Sequence, residues 1–128
     1  MKAEELRIGN LCYYHVEDSI EGDHDVLNTV DYEDLRIMFG EVDEDYKPIP
    51  LTEEWLLKFG FVHRKRRDVP AYEKNNLIVE YLFERWTGRL YWNERNSIRI
   101  IDVEYVHQLQ NLYFALTGEE LTIKSNNK

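Results

Sequence analysis

The sequence predicts an α+β protein. A small N-terminal β module of barrel-like form is joined by a short linking helix to a three-stranded antiparallel meander, with a C-terminal helix packed on the meander. Three observations lead to this prediction. Short runs rich in β-branched and aromatic residues alternate with turn residues in both halves. One short helix has a clear beginning and end, and the last apolar pattern of the chain repeats at helical spacing.

The composition is that of a folded chain. Its 128 residues are 43% hydrophobic and 13% aromatic, whereas disordered chains are poor in aromatic residues. This length fits one ordinary domain or two small modules with a common core. We therefore expect an acidic β module over residues 1–50 and a helix–meander–helix module over residues 51–128, sharing one core.

In the first module, Leu6–Val16 has the composition of a β-strand. Glu17–Asp25 is a polar loop that turns at a glycine. Val26–Val30 and Leu35–Phe39 read as short strands, and the intervening DYED resembles a turn. Several short strands in so few residues predict a small curled sheet.

The linking helix has recognisable ends. Thr52 is a suitable N-cap, Glu53 and Glu54 complement the helix dipole, and Gly60 can adopt the left-handed conformation that ends a helix. The segment Val62–Asn76, which is basic at first, is predicted to be a strand end followed by a loop.

The meander is predicted from three apolar runs, Leu77–Trp86, Arg89–Trp92 and Ser97–Ile101. Thr87–Gly88 and Asn93–Asn96 are the turns between them.

The final helix is expected to be capped by Asp102 and to end at Gly118. Its apolar stripe is centred on Leu109 and also holds Tyr105, Val106, Leu112, Tyr113 and Leu116. The stripe is wide enough to lie on the inner face of the meander, for which the candidates are Leu90, Trp92, Ile98 and Ile100.

The opposite side of this helix holds His107, Gln110, Asn111 and Phe114. In one interpretation, the C-terminal segment or the first module covers Phe114, because aromatic side chains in small domains usually serve packing. In the other, these four residues bind a protein partner, with Phe114 as the anchor. A second copy of the chain could also cover the aromatic ring, so a homodimer is a further alternative.

The net charge of the chain argues against duplex nucleic acid as a partner. The net charge is −9, and residues 1–50, with 4 basic and 14 acidic residues, account for the excess. Duplex nucleic acid is therefore not an expected partner. The first module could instead mimic a polyanion. No apolar run reaches the roughly 20 residues of a membrane span, the N-terminus lacks the pattern of a secretory signal, and Cys12 is the only cysteine. These features favour the cytoplasm and no membrane association.

Basic residues suggest an alternative ligand. The run HRKRR contains Arg64, Lys65, Arg66 and Arg67. On the meander, Arg85, Arg89, Tyr91 and Arg99 could share the outer face of the sheet. Arginine beside an aromatic ring can hold a nucleotide or a single strand by charge and stacking. The competing interpretation is an ordinary solvated sheet face.

No catalytic or metal motif is present. Cys12 and His15 are three apart, so on a strand they point to opposite faces and form no dyad. The acidic loop Glu17–Asp25 offers hard oxygen ligands for a cation, but its order does not match a calcium-binding loop. We therefore expect no cofactor and no metal, and we favour a non-enzymatic protein over the alternative of an enzyme whose pocket is assembled from distant residues.

Two segments, PIPLTEEWLLKFGF and YVHQLQNLYFALTGEELT, together with the opening LRIGN, resemble a family of small uncharacterised proteins of Bacteroidetes bacteria and their phages or prophages. The resemblance implies an accessory protein in a bacterial cytoplasm and supplies no mechanism. Combined with the absence of catalytic motifs, it leads us to expect a non-enzymatic binding or adaptor protein that acts through protein–protein contacts.

Overall fold

The computed structural model describes residues 5–39, 45–64, 69–93 and 96–124, with the backbone alone for Trp92 and Asn93. The chain is α+β, and contacts divide it into two compact units, Met1–Pro50 with Tyr105–Asn111, and Leu51–Glu104 with Leu112–Lys128. The elements are β1 (Leu11–Val16), β2 (His24–Thr29), α1 (Tyr32–Met38), β3 (Tyr46–Lys47), α2 (Glu53–Lys58), β4 (Val62–Arg64), β5 (Ala71–Lys74), β6 (Leu77–Leu82), β7 (Arg85–Asn93), β8 (Asn96–Asp102) and α3 (Val106–Thr117).

The first unit contains an antiparallel sheet in the order β2-β1-β3. Within the described residues, β2 and β3 remain its two edges, so the sheet is open and the expectation of a barrel-like module is wrong. Its apolar core consists of Leu6, Cys12, Val30, Met38 and Tyr46.

Helix α1 replaces a predicted strand. The segment Leu35–Phe39 lies mostly in this helix, because the preceding DYED is a capping box and not a turn. Asp34 N–H donates to Asp31 Oδ1 at 2.9 Å, and Asp31 N–H donates to Asp34 Oδ2 at 2.9 Å. These bonds satisfy two N–H groups at the helix start, and the apolar run that follows continues as a helix.

Helix α2 is confirmed as predicted. The Thr52 side chain accepts a hydrogen bond from Trp55 N–H, and Gly60 has φ of 89° just beyond the helix end. Trp55 and Leu56 are buried, so this short helix is stabilised by packing of its apolar face.

The second unit contains a five-stranded antiparallel sheet in which β4 to β8 follow in chain order. The predicted meander is therefore present, but β4 and β5 form where a strand end and a loop were expected. The turn between β6 and β7 is Phe83–Glu84, whereas the predicted turn Thr87–Gly88 lies inside β7. Gly88 packs closely against α3, because a Cβ at this position would lie 2.9 Å from Leu112 Cδ2 and would require that methyl group to shift.

Helix α3 buries Val106, Leu109 and Tyr113 of its predicted stripe and ends before Gly118, whose φ is 75°. Its predicted cap is wrong, since Asp102 is the last residue of β8. No helix in the described part of the chain is long and apolar enough to cross a membrane.

The predicted inner face of the meander is also corrected. Ile98 and Ile100 are exposed, whereas Leu90 is half-buried. The pairing of β7 with β8 shifts twice and skips Trp92 and Ile100, so a simple alternation of buried and exposed residues fails there.

Candidate anion-binding site

The five-stranded sheet carries a cleft of about 500 Å³ in which three guanidinium groups meet. We call it the arginine cleft, and it is lined by Glu80, Leu82, Phe83, Arg85, Thr87, Arg89 and Arg99. All of these residues belong to β6, β7, β8 and the turn between β6 and β7.

Strand geometry explains which face of the sheet holds the cleft. Gly88 faces α3, because its missing Cβ would meet Leu112 of that helix. Successive side chains on a strand point to opposite faces, so Thr87 and Arg89 point away from α3. Arg85 precedes Thr87 by two residues and shares that face. The cleft is therefore on the side of the sheet opposite α3.

Arg99 joins the cleft from the neighbouring strand, where it pairs directly with Arg89. Like charges in opposite positions are unfavourable. Asp102 offsets part of this repulsion. Arg99 Nη2 donates to Asp102 Oδ1 at 2.8 Å, and Arg85 Nη1 donates to Asp102 Oδ2 at 3.1 Å.

Asp102 is also held by Thr87, whose hydroxyl donates to Oδ1 at 3.1 Å. The hydrogen bond from Arg99 is the main cause that lowers the pKa of Asp102 below its usual value. The carboxylate thus stays ionised at neutral pH and orients two guanidinium groups at the rim of the cleft.

Arg89 has a weaker partner. Its Nε and Nη2 atoms donate to the hydroxyl oxygen of Ser97 at 3.3 and 3.2 Å. No ion pair of Arg89 occurs within the described ranges. A neutral hydroxyl does not compensate the charge of Arg89, so this residue has a greater capacity to bind an anion than Arg85 and Arg99, which are paired with Asp102.

Arg64, a further predicted basic residue, is not part of the cleft lining. Arg64 pairs with Glu73 at 2.6 Å and stacks on the Tyr91 ring with its guanidinium carbon 4.8 Å from the centroid. These contacts occupy Arg64 and one face of the Tyr91 ring. Lys65, Arg66 and Arg67 lie outside the described residues.

A second cleft, also about 500 Å³, is lined by residues that include Arg85, Asp102, Glu84 and Glu104. Three carboxylates against one guanidinium give it a negative character. It is unsuitable for a phosphate, so the arginine cleft is the better candidate.

Two residues on the polar side of α3 are far less exposed than predicted. His107 and Gln110, expected at the surface, are only 3% and 2% exposed. Gln110 Oε1 accepts from Leu11 N–H at 2.8 Å, and Asn111 Oδ1 accepts from Asn10 Nδ2 at 2.9 Å. We call Asn10, Gln110 and Asn111 the amide cluster. It serves the interior of the first unit, because buried polar groups are stable only when they are hydrogen-bonded.

His107 and Phe114, the two ends of the predicted patch, differ in burial. Burial lowers the pKa of His107, and its Nδ1 atom has no hydrogen-bond partner within the described residues. Phe114 is 39% exposed. A partner-binding role for the predicted four residues stays a prediction, but two of them are not accessible.

The acidic loop and Cys12 show no additional site chemistry. Asp18 of the loop accepts hydrogen bonds from Ile20 N–H at 2.7 Å and Glu21 N–H at 3.1 Å, which stabilise its own turn. The described residues contain no group of three or more potential metal ligands placed to hold an ion. Burial raises the pKa of the Cys12 thiol, which disfavours the nucleophilic thiolate.

Sequence reasoning did not place Leu82, Phe83 or Thr87 in the cleft, and it did not identify Asp102 as the partner of its arginines. Phe-Glu lacks the glycine or asparagine that marks a two-residue turn, so nothing local revealed that Phe83 lies at a turn. Asp102 was assigned to a helix cap because that role is visible from neighbouring residues. Two of its actual partners, Arg85 and Thr87, come from the neighbouring strand β7.

Comparison of the chain with protein-family models, with curated proteins and with solved structures gives no match. The resemblance to Bacteroidetes and phage proteins therefore stays a prediction, and the function has to be inferred from the geometry of the site.

Proposed function

We propose that this protein binds a phosphate-bearing ligand, either a nucleotide or a single-stranded nucleic acid, in the arginine cleft. The observation that carries the proposal is the convergence of Arg85, Arg89 and Arg99 on one open cleft. Guanidinium groups bind phosphate through paired, charge-assisted hydrogen bonds.

The arrangement is partly preorganised for this role. Asp102 holds Arg85 and Arg99 in defined positions, which reduces the conformational entropy lost on binding. Arg89 would exchange the Ser97 hydroxyl for a phosphate oxygen, a stronger acceptor because it is charged.

The net charge of −9 opposes binding of any anion at long range. Affinity should therefore come from close contacts in the cleft and depend clearly on salt. For three arginine contacts to a single strand, the logarithm of the binding constant should fall with the logarithm of salt concentration with a slope of about −2.

The test is fluorescence anisotropy of a labelled oligothymidylate and a labelled nucleotide over a salt series. Arg89→Ala should weaken binding about tenfold at low salt and reduce the slope by about 0.7. Arg36→Ala is the matched control, because Arg36 is an exposed arginine of α1 in the first unit. Absence of binding by the unsubstituted protein, or equal losses in the two variants, would contradict the proposal.

The adaptor role predicted from α3 is less well supported, because His107 and Gln110 are buried. Mimicry of a polyanion by the first module, a homodimer and an origin in phages or prophages remain predictions from the sequence.

A further inference from the structure

The turn between β6 and β7 combines an unfavourable backbone with an exposed aromatic ring. Phe83 and Glu84 have φ of 52° and 63°, in the left-handed region that bulky side chains rarely adopt. Phe83 is 88% exposed. The ring therefore contributes little to the core, and the backbone of this turn is strained.

Another turn of the same sheet shows what the fold alone requires. The hairpin of β5 and β6 turns at Asn75–Asn76, with φ of 48° and 70°. Asparagine tolerates this conformation and is favoured at such positions. The two turns have the same backbone class, so the fold does not require phenylalanine at position 83. A functional constraint is the better explanation of Phe83.

The position of the ring indicates its function. Phe83 lines the arginine cleft and precedes Arg85 by two residues. An exposed aromatic ring beside guanidinium groups is the combination that proteins use for single strands, in which bases stack on the rings and phosphates contact the cations.

We infer that Phe83 is a base-stacking platform and that the ligand of the arginine cleft is a single-stranded nucleic acid. This inference rests on the proposed function and names its ligand class. Small-molecule sites usually enclose most of their ligand. Here Phe83, Arg85 and Arg99 are largely exposed on an open sheet face, which suits a strand that passes across the surface.

The decisive variant relaxes the turn while it removes the ring. Phe83→Asn combined with Glu84→Gly creates an Asn-Gly turn, which fits two residues of positive φ. We expect this double variant to unfold at a higher temperature than the unsubstituted protein. We also expect it to bind an oligothymidylate of about 12 nucleotides at least tenfold more weakly, since stacking contributes on that scale.

Three further variants distinguish stacking on the Phe83 ring from effects of charge and of general hydrophobicity. Glu84→Gly alone removes the same carboxylate but keeps the ring, so its affinity should not fall. Phe39→Asn removes another exposed phenylalanine, 81% exposed and outside the cleft, and should leave binding unchanged. Phe83→Tyr retains a stacking surface and should retain the affinity.

The choice of probe distinguishes failure of this inference from failure of the proposed function. An abasic oligomer of the same length offers phosphates without bases, and it should bind the double variant and the Glu84→Gly single variant, which carry the same charge, equally. If the oligothymidylate binds but the double variant loses nothing, the stacking role is wrong and the phosphate site stands. If neither oligomer binds at low salt, both are wrong. Equally tight binding of a mononucleotide, or equal competition by an oligoglutamate peptide, would also overturn the assignment to a single strand.

Discussion

The amide cluster of the first unit and the arginine cleft of the second are both built from polar side chains, but the two sets of side chains differ in their hydrogen-bond partners. Gln110 lies in the interior, and its carbonyl oxygen accepts a hydrogen bond from the backbone N–H of Leu11. Arg89 lines an open cleft and donates to one neutral hydroxyl. Polar side chains alone therefore do not identify a binding surface. What matters is whether the protein itself already provides the partners.

The largest expected effect is on stability, and it comes from the amide cluster. Gln110→Ala should lower the free energy of unfolding by about 3 kcal/mol, because buried backbone groups would lose their partners. These groups include the N–H of Leu11 and the carbonyl of Gly9. Denaturant unfolding measures the change, and Arg89→Ala should cost less than about 1 kcal/mol in the same assay. Equal losses of unfolding free energy in the two variants would contradict the distinction between the amide cluster and the arginine cleft.

A smaller effect on stability is expected from His107 and depends on pH. Burial lowers its pKa in the folded state, so below about pH 6.5 the unfolded chain binds more protons at this site. The stabilisation is therefore complete above that pH and is lost as the pH falls toward the folded-state pKa. The slope cannot exceed about 1.4 kcal/mol per pH unit for one proton.

Unfolding of the unsubstituted protein and of His107→Leu between about pH 7.5 and 5 measures this contribution. The variant should lack the part of the slope that belongs to His107. The hydrogen bond from Arg99 lowers the pKa of Asp102, so this carboxylate stays ionised and leaves the window undisturbed. Identical slopes in the two proteins would show that His107 titrates as it does in the unfolded chain.

The smallest expected effect sharpens the assignment of the arginine cleft. Glu80 is a carboxylate in its lining, so Glu80→Gln should strengthen binding of an oligothymidylate about twofold by removing repulsion of the phosphates. The matched control is Glu33→Gln, which removes an exposed carboxylate of α1 in the first unit. The anisotropy measurement described above detects the difference, and weaker binding by Glu80→Gln would mean that this carboxylate contacts the ligand or holds an arginine in place.

The sequence predicts an element correctly where the groups that stabilise it are neighbours along the chain. Thr52 and Gly60 identify both ends of α2, because each acts within a few residues of itself. DYED carried an equally local signal, but Asp34 in place of the usual glutamate made the capping box look like a turn. The start of α1 is therefore encoded locally, although the pattern was interpreted as a turn between two strands.

Other features depended on packing and could not be read locally. Gly88 looks like a turn residue, yet it lies within β7, where it pairs with Val79 of β6 and Ile101 of β8. Gln110 looks like a surface residue, yet it binds a backbone group 99 positions away.

The sequence by itself determined the α+β class, the helix α2 and the apolar stripe of α3. It did not place Arg85 and Arg89 on one strand, because the turn predicted at Thr87–Gly88 would separate them. Only the tertiary structure decided that Arg99 lies opposite Arg89, that Asp102 binds two arginines, and that Phe83 stands at a turn beside them. The physical reason is that strand register is a non-local property. It arises when many side chains pack together at once, and no short stretch of the chain contains the information that sets it.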